Sequence, residues 1–306
     1  MAGRRGFGLV SALLVVAVAA VACGKKTTTA TTPTTPAKPT ITVGTVTFAE
    51  SQIVAQMFAA VLQKAGYHVT TPLKTVGQRE ILQPAMPGQI QLAPEYVGSL
   101  LAYLKGNESS DPVSETAQDN VLLAPKGLTV LDASGANDTN AFVVTKDTAT
   151  KYSLTKVSDL KPVATQLTLG GPAECATRPL CLLGLQNVYG IKGLKFQPIG
   201  SCDSPTANAL DSGAVQVALL CSTQSVIAKK GWVVLQDDKN LQPADNIAAE
   251  ISTSLLNANP EIRTLLTNVT QKLTTANIVG LNAMVEIDHQ DSSAVAQAFL
   301  KANGLL

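Results

Sequence analysis

The chain has 306 residues, which is enough for about two domains that each bury their own core. Its 23 Lys and Arg residues balance 22 Asp and Glu residues, which argues against nucleic acid or an anionic membrane surface as an electrostatic partner. Aromatic residues make up only 4% of the chain, so a site built from several aromatic rings would draw on a small supply.

The N-terminus has the features of an export signal. Arg4 and Arg5 precede an apolar run over residues 9–21, which has the length of a signal-peptide core and is short for a membrane span. Small residues then precede Cys23, as in the bacterial lipobox, whose cysteine is acylated. We predict a signal peptide over residues 1–22 and a lipidated Cys23 that anchors the exported chain to the outer face of the cell membrane. An ordinary secretory signal, cut just before an incidental cysteine, is the alternative.

The segment after Cys23 predicts a tether. It is rich in Thr, Pro, Ala and Lys and shows no apolar periodicity. Such a composition cannot bury enough surface to order itself. We therefore predict that residues 23–39 comprise the lipidated cysteine and a disordered, extended linker.

Hydrophobic spacing in the first half of the remaining chain predicts strands that alternate with helices. Pro94 and Tyr96 are predicted to open a helix rather than to extend a strand. The predicted strands cover residues 41–46, 67–70, 89–93 and 142–145, and the predicted helices cover 50–65, 81–86, 98–104 and 113–123.

The second half repeats this alternation and then becomes helical. Alternating strands and helices predict an α/β protein with parallel sheets and right-handed crossovers. The predicted strands cover residues 168–170, 196–199, 215–220 and 232–235, with helices that start at 157 and cover 182–189 and 205–212. Four more helices are predicted over residues 252–257, 260–275, 278–286 and 292–303.

Four cysteines remain besides Cys23, an even number in a chain predicted to be exported, which favours disulfides over a metal site. We predict the pairs Cys175–Cys181 and Cys202–Cys221, although four cysteines allow three connectivities. A zinc site would need closely spaced cysteine pairs or histidines, and the two histidines lie far apart in sequence. No metal is predicted.

No catalytic constellation is present. His289 and Asp291 lack the Gly-x-Ser-x-Gly context of an activated serine, and the acidic pair at residues 237 and 238 is typical of a solvated turn. Glycines occur singly, without a phosphate-binding pattern. The sequence therefore predicts neither an enzyme nor a cofactor.

Several sequence blocks occur in the order found in one transport family. The chain resembles ProX/OpuAC-like proteins, the glycine betaine, carnitine and choline binding lipoproteins of osmoprotectant ABC importers, from Ile41 to Leu306. The blocks that carry the resemblance are residues 41–51, 91–99, Arg178-Pro179, 184–190, Ser222-Thr223 and 234–239.

The resemblance implies a type II periplasmic-binding-protein fold, an α/β fold whose two lobes are joined by two crossings. Lobe one would comprise residues 40–144 and 248–306, and lobe two residues 145–247. The ligand would lie in the cleft between the lobes, where strand ends and helix N-termini converge. The closed form, with the solute enclosed, is the one that ABC permease subunits would recognise.

Carried over position by position, the resemblance assigns a set of ligand-binding residues. At Asn140, Cys221 and Asp245 this chain lacks aromatic residues that the family commonly has, and a quaternary ammonium is held by the faces of several rings. The predicted set is Thr47, Ser51, Tyr96, Ser99, Thr139, Asn140, Cys221, Ser222, Thr223, Asp245 and Asn246.

The sequence thus predicts an extracytoplasmic lipoprotein that delivers a small polar solute, of the osmoprotectant class by resemblance, to an ABC importer. The missing rings leave open the same fold retuned to a hydroxylated or otherwise non-quaternary ligand. A sensor domain that presents ligand to a signalling partner is a further alternative.

Overall fold

The computed structural model of the protein describes residues 38–76, 79–200, 202 and 204–306. The predicted signal peptide, Cys23 and the predicted tether up to residue 37 lie outside the described residues. Residues 38–306 form one compact unit. Among the residues described, no helix combines the length and the apolar character needed to cross a bilayer.

The first part of this unit contains short strands and four helices. The strands are β1 (Thr40–Ile41), β2 (Gly44–Val46), β3 (His68–Val69), β4 (Lys74–Val76), β5 (Leu92–Tyr96) and β6 (Leu128–Val130). The helices are α1 (Ala49–Lys64), α2 (Arg79–Ala85), α3 (Val97–Tyr103) and α4 (Pro112–Leu123).

The middle part begins with a second set of strands and helices, and the chain then ends in helices. The second set is β7 (Asn140–Val144), α5 (Lys146–Tyr152), β8 (Thr168–Gly171), α6 (Leu182–Asn187), β9 (Lys195–Pro198), α7 (Ser204–Asp211), β10 (Val217–Cys221), α8 (Ser225–Lys230) and β11 (Val233–Val234). The last elements are β12 (Ile247–Ser252), α9 (Thr253–Ala258), α10 (Glu261–Thr270), α11 (Thr275–Glu286) and α12 (Ser292–Ala302).

The strands form separate sheets in two lobes. Lobe one holds the sheet β5-β12-β6 and the pairs β1-β3 and β2-β4, while lobe two holds the five-stranded sheet β11-β7-β10-β8-β9. Strand β7 pairs in lobe two although its residues precede the predicted boundary at residue 144. The type II two-lobe fold is as predicted, and the exact lobe boundaries stay a prediction.

The prediction of parallel sheets is wrong for part of each lobe, because the five-stranded sheet is mixed and the three-stranded sheet is antiparallel. Strands β8, β9 and β10 run parallel, but β7 is antiparallel to β10, and β12 is antiparallel to β5 and β6. Strands β7 and β12 enter their sheets directly from the segments that cross between the lobes. No helical crossover precedes them, so nothing forces them to run parallel to their neighbours.

Each lobe buries its own apolar core. In lobe one, Ile53, Met57 and Val61 form a stripe on α1 at helical spacing and pack among the buried side chains of β12 and the C-terminal helices. In lobe two, Phe142 and Leu169 lie in a core between the five-stranded sheet and the helices that cover it. Burial of these faces holds the ends of the strands in place.

Two local predictions differ from the structure. Pro94 continues strand β5 instead of opening a helix, because β5 is at the edge of its three-stranded sheet, where a residue without an N–H group is tolerated. Helix α11 begins at Thr275, three residues earlier than predicted. The Thr274 hydroxyl accepts from the Asn277 backbone N–H at 3.3 Å, and the Asn277 side chain accepts from Thr274, which caps the helix there.

Both predicted disulfides are confirmed, and both lie in lobe two. Cys175 and Cys181 close a short turn before α6, with 5.1 Å between their Cα atoms. Cys202 and Cys221, whose Cα atoms are 5.0 Å apart, tie the loop before α7 to the end of strand β10.

Lobe one encloses a group of buried acids. Gln83 donates its amide N–H groups to Glu95 at 3.1 Å and to Glu250 at 2.6 Å, and the Arg79 guanidinium donates to Glu95 at 3.0 Å. Asp119 is also fully buried, and within the described residues neither of its carboxyl oxygens has a hydrogen-bond partner. In the same part of the chain, no three His, Cys, Asp or Glu side chains are placed to hold a metal ion.

Burial governs the protonation of these acids. It raises the pKa of Asp119 to about 8, with a further contribution from the nearby charges of Glu115 and Glu95. Burial also raises the pKa of Glu250 to about 8, assisted by Glu95, and the pKa of Glu115 to about 7. Near neutral pH, these carboxyls therefore hold protons in the folded lobe that they release when the chain unfolds.

The Cys202–Cys221 disulfide is expected to stabilise the fold more than Cys175–Cys181, because it closes the longer loop, with a sequence separation of 19 against 6. The double variant Cys202→Ser/Cys221→Ser should lose about 2–4 kcal/mol of unfolding free energy, and the other double variant about 1 kcal/mol less than that. Urea unfolding with and without reductant measures both losses. Wild-type protein that unfolds identically with and without reductant would contradict the prediction.

The buried acids predict that the protein is more stable at mildly acidic pH than at alkaline pH. Because their folded pKa values exceed the unfolded values of about 4, stability falls as pH rises from about 5 to about 8. Asp119→Asn removes one such carboxyl, so it should raise the melting temperature at pH 8.5 and change it little at pH 5.

The matched control for that variant is Asp132→Asn, which alters an exposed carboxyl of the same lobe. Thermal unfolding at both pH values compares the three proteins. Equal pH dependence in Asp119→Asn and wild type would show that this carboxyl is not a source of the effect.

Candidate functional site

Two chain segments cross between the lobes and pair with each other. Asn137 and Asn246 form an antiparallel bridge, the Asp138 backbone N–H donates to the Asp245 carbonyl at 3.1 Å, and the Ile247 N–H donates to the Ala136 carbonyl at 3.0 Å. We call these segments, residues 136–139 and 243–247, the hinge. Their mutual hydrogen bonds fix where the lobes meet.

Several predicted ligand-binding side chains are engaged within the hinge. The Ser222 hydroxyl donates to the Asn137 carbonyl at 2.8 Å and accepts from the Thr139 N–H at 3.0 Å. The Asn246 amide donates to the Ser134 carbonyl at 2.8 Å. These bonds hold the crossing segments in register.

Asn140 lies beside the hinge and does not line the main cleft. Its amide is 3.5 Å from the side-chain oxygen of Gln242, and it lines a small cavity of about 290 Å³ together with Ser222 and Pro243. The Thr139 hydroxyl donates to the Pro243 carbonyl at 3.2 Å. This cavity brings together Thr139, Asn140 and Ser222 from the predicted set.

Asp245 and Ser99, which were predicted to contact ligand separately, bind each other. The Asp245 carboxylate accepts from the Ser99 backbone N–H at 2.8 Å and from the Ser99 hydroxyl at 2.6 Å. A Cβ at Gly98 would lie 2.1 Å from the Ala244 carbonyl oxygen, so glycine permits this close approach. Burial raises the pKa of Asp245 to about 7, against the lowering effect of the Ser99 hydrogen bonds.

The turn between β2 and α1 and the start of α1 contain two further residues of the predicted ligand-binding set, Thr47 and Ser51. The Ser51 hydroxyl is fully buried, accepts from the Val46 N–H at 3.2 Å and lies 2.9 Å from the Thr45 hydroxyl. Thr47 is exposed in the turn, and its carbonyl accepts from the Gln52 amide at 2.9 Å. The hydrogen bonds of Ser51 therefore stabilise the turn that leads into α1.

The cleft between the lobes is a cavity with a volume of about 940 Å³. Residues of both lobes line it, and the Cys202–Cys221 disulfide forms part of its lobe-two wall. The lining residues on which the functional argument depends are Phe48, Glu50, Asp138, Cys221, Thr223 and Asn282.

Two aromatic rings lie beside this cleft. Phe48, at the start of α1, is 44% exposed, and its ring centroid is 5.8 Å from that of Tyr96. Tyr96 is buried behind it at the end of β5. Burial raises the Tyr96 pKa far above its usual value, and the nearby Glu50 and Asp138 carboxylates add to that rise.

Glu50 lies in the first turn of α1 at the base of the cleft. Only 2% of its surface is exposed, and one carboxyl oxygen accepts from the Asn282 amide at 2.9 Å. Burial and the neighbouring Asp138 charge raise its pKa to about 7, although the Asn282 hydrogen bond opposes the shift.

Asp138 brings a second carboxyl to the same place from the hinge. Burial raises its pKa above the ordinary value, while hydrogen bonds from the hydroxyl and backbone N–H of Thr223 act in the opposite direction. The base of the cleft therefore carries two interacting carboxyls, one from lobe one and one from the hinge.

Helices α8 and α11 join the lobes along one side of the cleft. The Ser225 hydroxyl donates to Glu286 at 2.6 Å, and the Asn282 amide donates to the Thr223 carbonyl at 3.1 Å. Asn282 and Glu286 are four residues apart and so share one face of α11. That face borders the cleft.

Of the predicted set, the structure brings Tyr96, Cys221 and Thr223 to the cleft or its back wall, and it places the others in the hinge and the small cavity beside it, the turn, or the Ser99–Asp245 pair. Sequence reasoning missed Glu50 and Asp138. Glu50 had a detectable signal, because it precedes Ile53 by three residues and so falls on the apolar stripe of α1. Asp138 had none, since only the fold brings it opposite α1.

Comparisons with known proteins agree with this architecture. The family model described as the substrate binding domain of ABC-type glycine betaine transport system matches residues 39–302. The chain is 30% identical over 289 residues to the glycine-betaine-binding protein of Pseudomonas aeruginosa, covering 87% of this chain and 89% of that protein.

Two further relatives extend the comparison. The chain is 28% identical over 276 residues to the carnitine transport binding protein OpuCC of Listeria monocytogenes, covering 87% of each. A crystal structure described as a glycine betaine/carnitine/choline ABC transporter superposes with a TM-score of 0.77 at 27% identity, covering 87% of this chain and 99% of that one.

The family match spans nearly all of residues 38–306, and the solved transport structure superposes over the same part of the chain. This chain belongs to the family of substrate-binding domains of ABC-type glycine betaine transport systems.

Proposed function

We propose that this protein is the extracytoplasmic solute-binding component of an ABC importer and that it holds one small polar solute of the osmoprotectant class in the cleft between its lobes. The observation that carries the proposal is the cleft itself. It has a volume of about 940 Å³, is lined from both lobes, and meets the hinge at its base. A solute bound there would contact both lobes at once.

Closure about the hinge is the mechanism of the proposed function. The two crossing segments are short and hydrogen-bonded to each other, so rotation of one lobe against the other bends only a few residues. A solute that contacts both lobes favours the closed form by its greater affinity for that form. Permease subunits would then distinguish loaded from empty protein by its shape.

We assign Phe48 as the aromatic side chain that contacts the ligand. Its ring lines the cleft, is 44% exposed, and packs against Tyr96 from one side. The open side of the ring can cover an apolar or cationic part of a solute. Other members of the predicted set, Cys221 and Thr223, would contact the same solute from lobe two.

Anchoring is the second part of the proposal. Cys23 would carry the lipid, and residues 24–37, which precede the compact unit, would span on the order of 40 Å if extended, as proline-rich linkers are. The folded unit could then reach permease subunits in the same membrane and still rotate freely.

A thermal-shift screen tests solute binding. A panel of glycine betaine, carnitine, choline, proline and other polar metabolites should contain a compound that stabilises the purified protein. A ligand at 100 times its dissociation constant adds about 2.7 kcal/mol of stability, which raises the melting temperature by about 5–10 °C. A panel in which nothing stabilises the protein would argue against the proposal.

Phe48→Ala should weaken binding of the compound found in this screen by about 2- to 30-fold through loss of the ring contact. The matched control is Val188→Ala, because Val188 is also 44% exposed but does not line the cleft. Calorimetry compares the two variants with wild type. Equal affinities in all three would remove Phe48 from the site.

Cys23→Ser tests the anchor. Two acyl chains attach a protein stably to a membrane, whereas without them the predicted tether offers no comparable hold. The variant should lose acylation and shift from the membrane fraction to the soluble fraction, or accumulate unprocessed. Acylation and fractionation that match wild type would rule out Cys23 as the anchor.

A further inference from the structure

Four buried polar atoms at the base of the cleft lack hydrogen-bond partners among the described residues. They are the second carboxyl oxygens of Glu50 and Asp138, the side-chain carbonyl oxygen of Asn282, and the Tyr96 hydroxyl. Glu50, Asn282 and Tyr96 are each at least 95% buried, and Glu50, Asp138 and Asn282 line the cleft. Folded proteins rarely leave buried polar atoms unpaired, so a concentration of four at one place indicates a binding partner.

The chemistry of these atoms defines what the partner must offer. A carboxylate oxygen and an amide carbonyl oxygen can only accept hydrogen bonds, so three of the four atoms need donors, and the Tyr96 hydroxyl, which interacts with Glu50, can satisfy only one of them. Two of the three also carry negative charge when ionised. A group with several N–H bonds and a positive charge satisfies both requirements through charge-assisted hydrogen bonds.

The charges around the cleft favour a cation at its base. Glu286 adds a third carboxyl from α11, and Asp245 lies near enough to Asp138 for their charges to interact. The basic residues lining the described cleft are Lys229 and Lys230, which are both exposed, and Lys230 is 2.8 Å from Asp211. Exposed lysines at the rim are screened by solvent and do not neutralise buried carboxyls at the base.

A fully methylated ammonium fits this base less well. It carries positive charge but no N–H group, so the acceptor atoms beyond the one that Tyr96 can serve would stay without donors. Such cations are instead held by the faces of several rings. Among the described residues that line the cleft, Phe48 is the one aromatic side chain, with Tyr96 packed behind it.

We infer that Glu50 and Asp138 form a two-carboxylate subsite for the N–H groups of a protonated amine, and that this cleft prefers an amine with N–H groups over its fully methylated counterpart. Asn282 and Tyr96 complete the ring of contacts. The inference rests on the proposed function, because it requires that a solute binds in this cleft.

Binding of such an amine is coupled to proton release. Without a cation, burial and the proximity of Asp138 hold the Glu50 pKa near 7, so this carboxyl is partly protonated at neutral pH. The titratable groups around it are Asp138 and Asp245 from the hinge, Tyr96 from β5 and Glu286 from α11. A bound cation favours the ionised form of Glu50 and Asp138, so protons held by these two carboxyls are released to solvent.

The experiment uses ethanolamine, N-methylethanolamine, N,N-dimethylethanolamine and choline, which keep one charge and one hydroxyl while N–H groups are replaced by methyl groups. Calorimetry on the purified protein at pH 6.5 should show affinity falling along the series, by about tenfold or more from ethanolamine to choline. Repeating the ethanolamine titration in two buffers of different ionisation enthalpy should reveal a released proton.

Glu50→Gln and Asp138→Asn should each lower ethanolamine affinity about tenfold or more and abolish the proton release. Both replacements are nearly isosteric and remove a buried charge, so melting temperatures at or above the wild-type value are expected. Asp119→Asn is the matched control, since Asp119 is also buried but does not line the cleft. It should bind ethanolamine as wild type does.

The outcomes separate this inference from the proposed function. If choline or glycine betaine binds more tightly than ethanolamine and Glu50→Gln leaves affinity unchanged, solute binding stands and the amine subsite is wrong. If none of the four amines nor glycine betaine binds at millimolar concentration, both this inference and the osmoprotectant-class assignment are wrong.

Discussion

The pairing of the two crossing segments is the interaction on which the rest of the molecule depends. Because Asp138 and Ile247 donate backbone hydrogen bonds across the hinge, the lobes meet along a fixed line. The same pairing places two acids differently. Asp138 faces the cleft, whereas Asp245 turns into lobe one and binds Ser99. One short antiparallel contact therefore sets how the lobes meet. It also directs Asp138 to the cleft and Asp245 to a bond within lobe one.

Buried carboxyls occur in two different surroundings in this protein, and the two groups have different consequences. Those around Asp119 are enclosed within lobe one, where Arg79 and Gln83 supply part of the compensation. Glu50 and Asp138 instead border an open cleft and retain unpaired oxygens. The first arrangement links stability to pH. The second leaves its electrostatic cost to be offset by a bound solute, as is common at functional sites.

The positions where the family commonly has aromatic residues are occupied here by side chains that interact within the protein. Asn140 approaches Gln242, Cys221 is joined to Cys202, and Asp245 is held by Ser99. The ring that remains at the cleft is Phe48, backed by Tyr96. A site with few rings and two carboxyls relies on charge and hydrogen bonds, so the number of N–H groups on a solute becomes a basis for selectivity.

The sequence by itself determined the α/β class and the order of most elements, while the two-lobe fold was implied by the family resemblance and the two disulfides were predicted among three possible connectivities. Hydrophobic period, helix caps and cysteine number are local properties and are readable from neighbouring residues. It could not determine the strand directions or the site. Pro94 joined a strand because that strand lies at a sheet edge, and the direction of β7 and β12 follows from the crossings. Only the tertiary structure decided that Glu50 and Asp138, 88 positions apart, meet at one cleft while Ser51 and Asp245 bind within the protein, because these outcomes depend on which surfaces the lobes bring together.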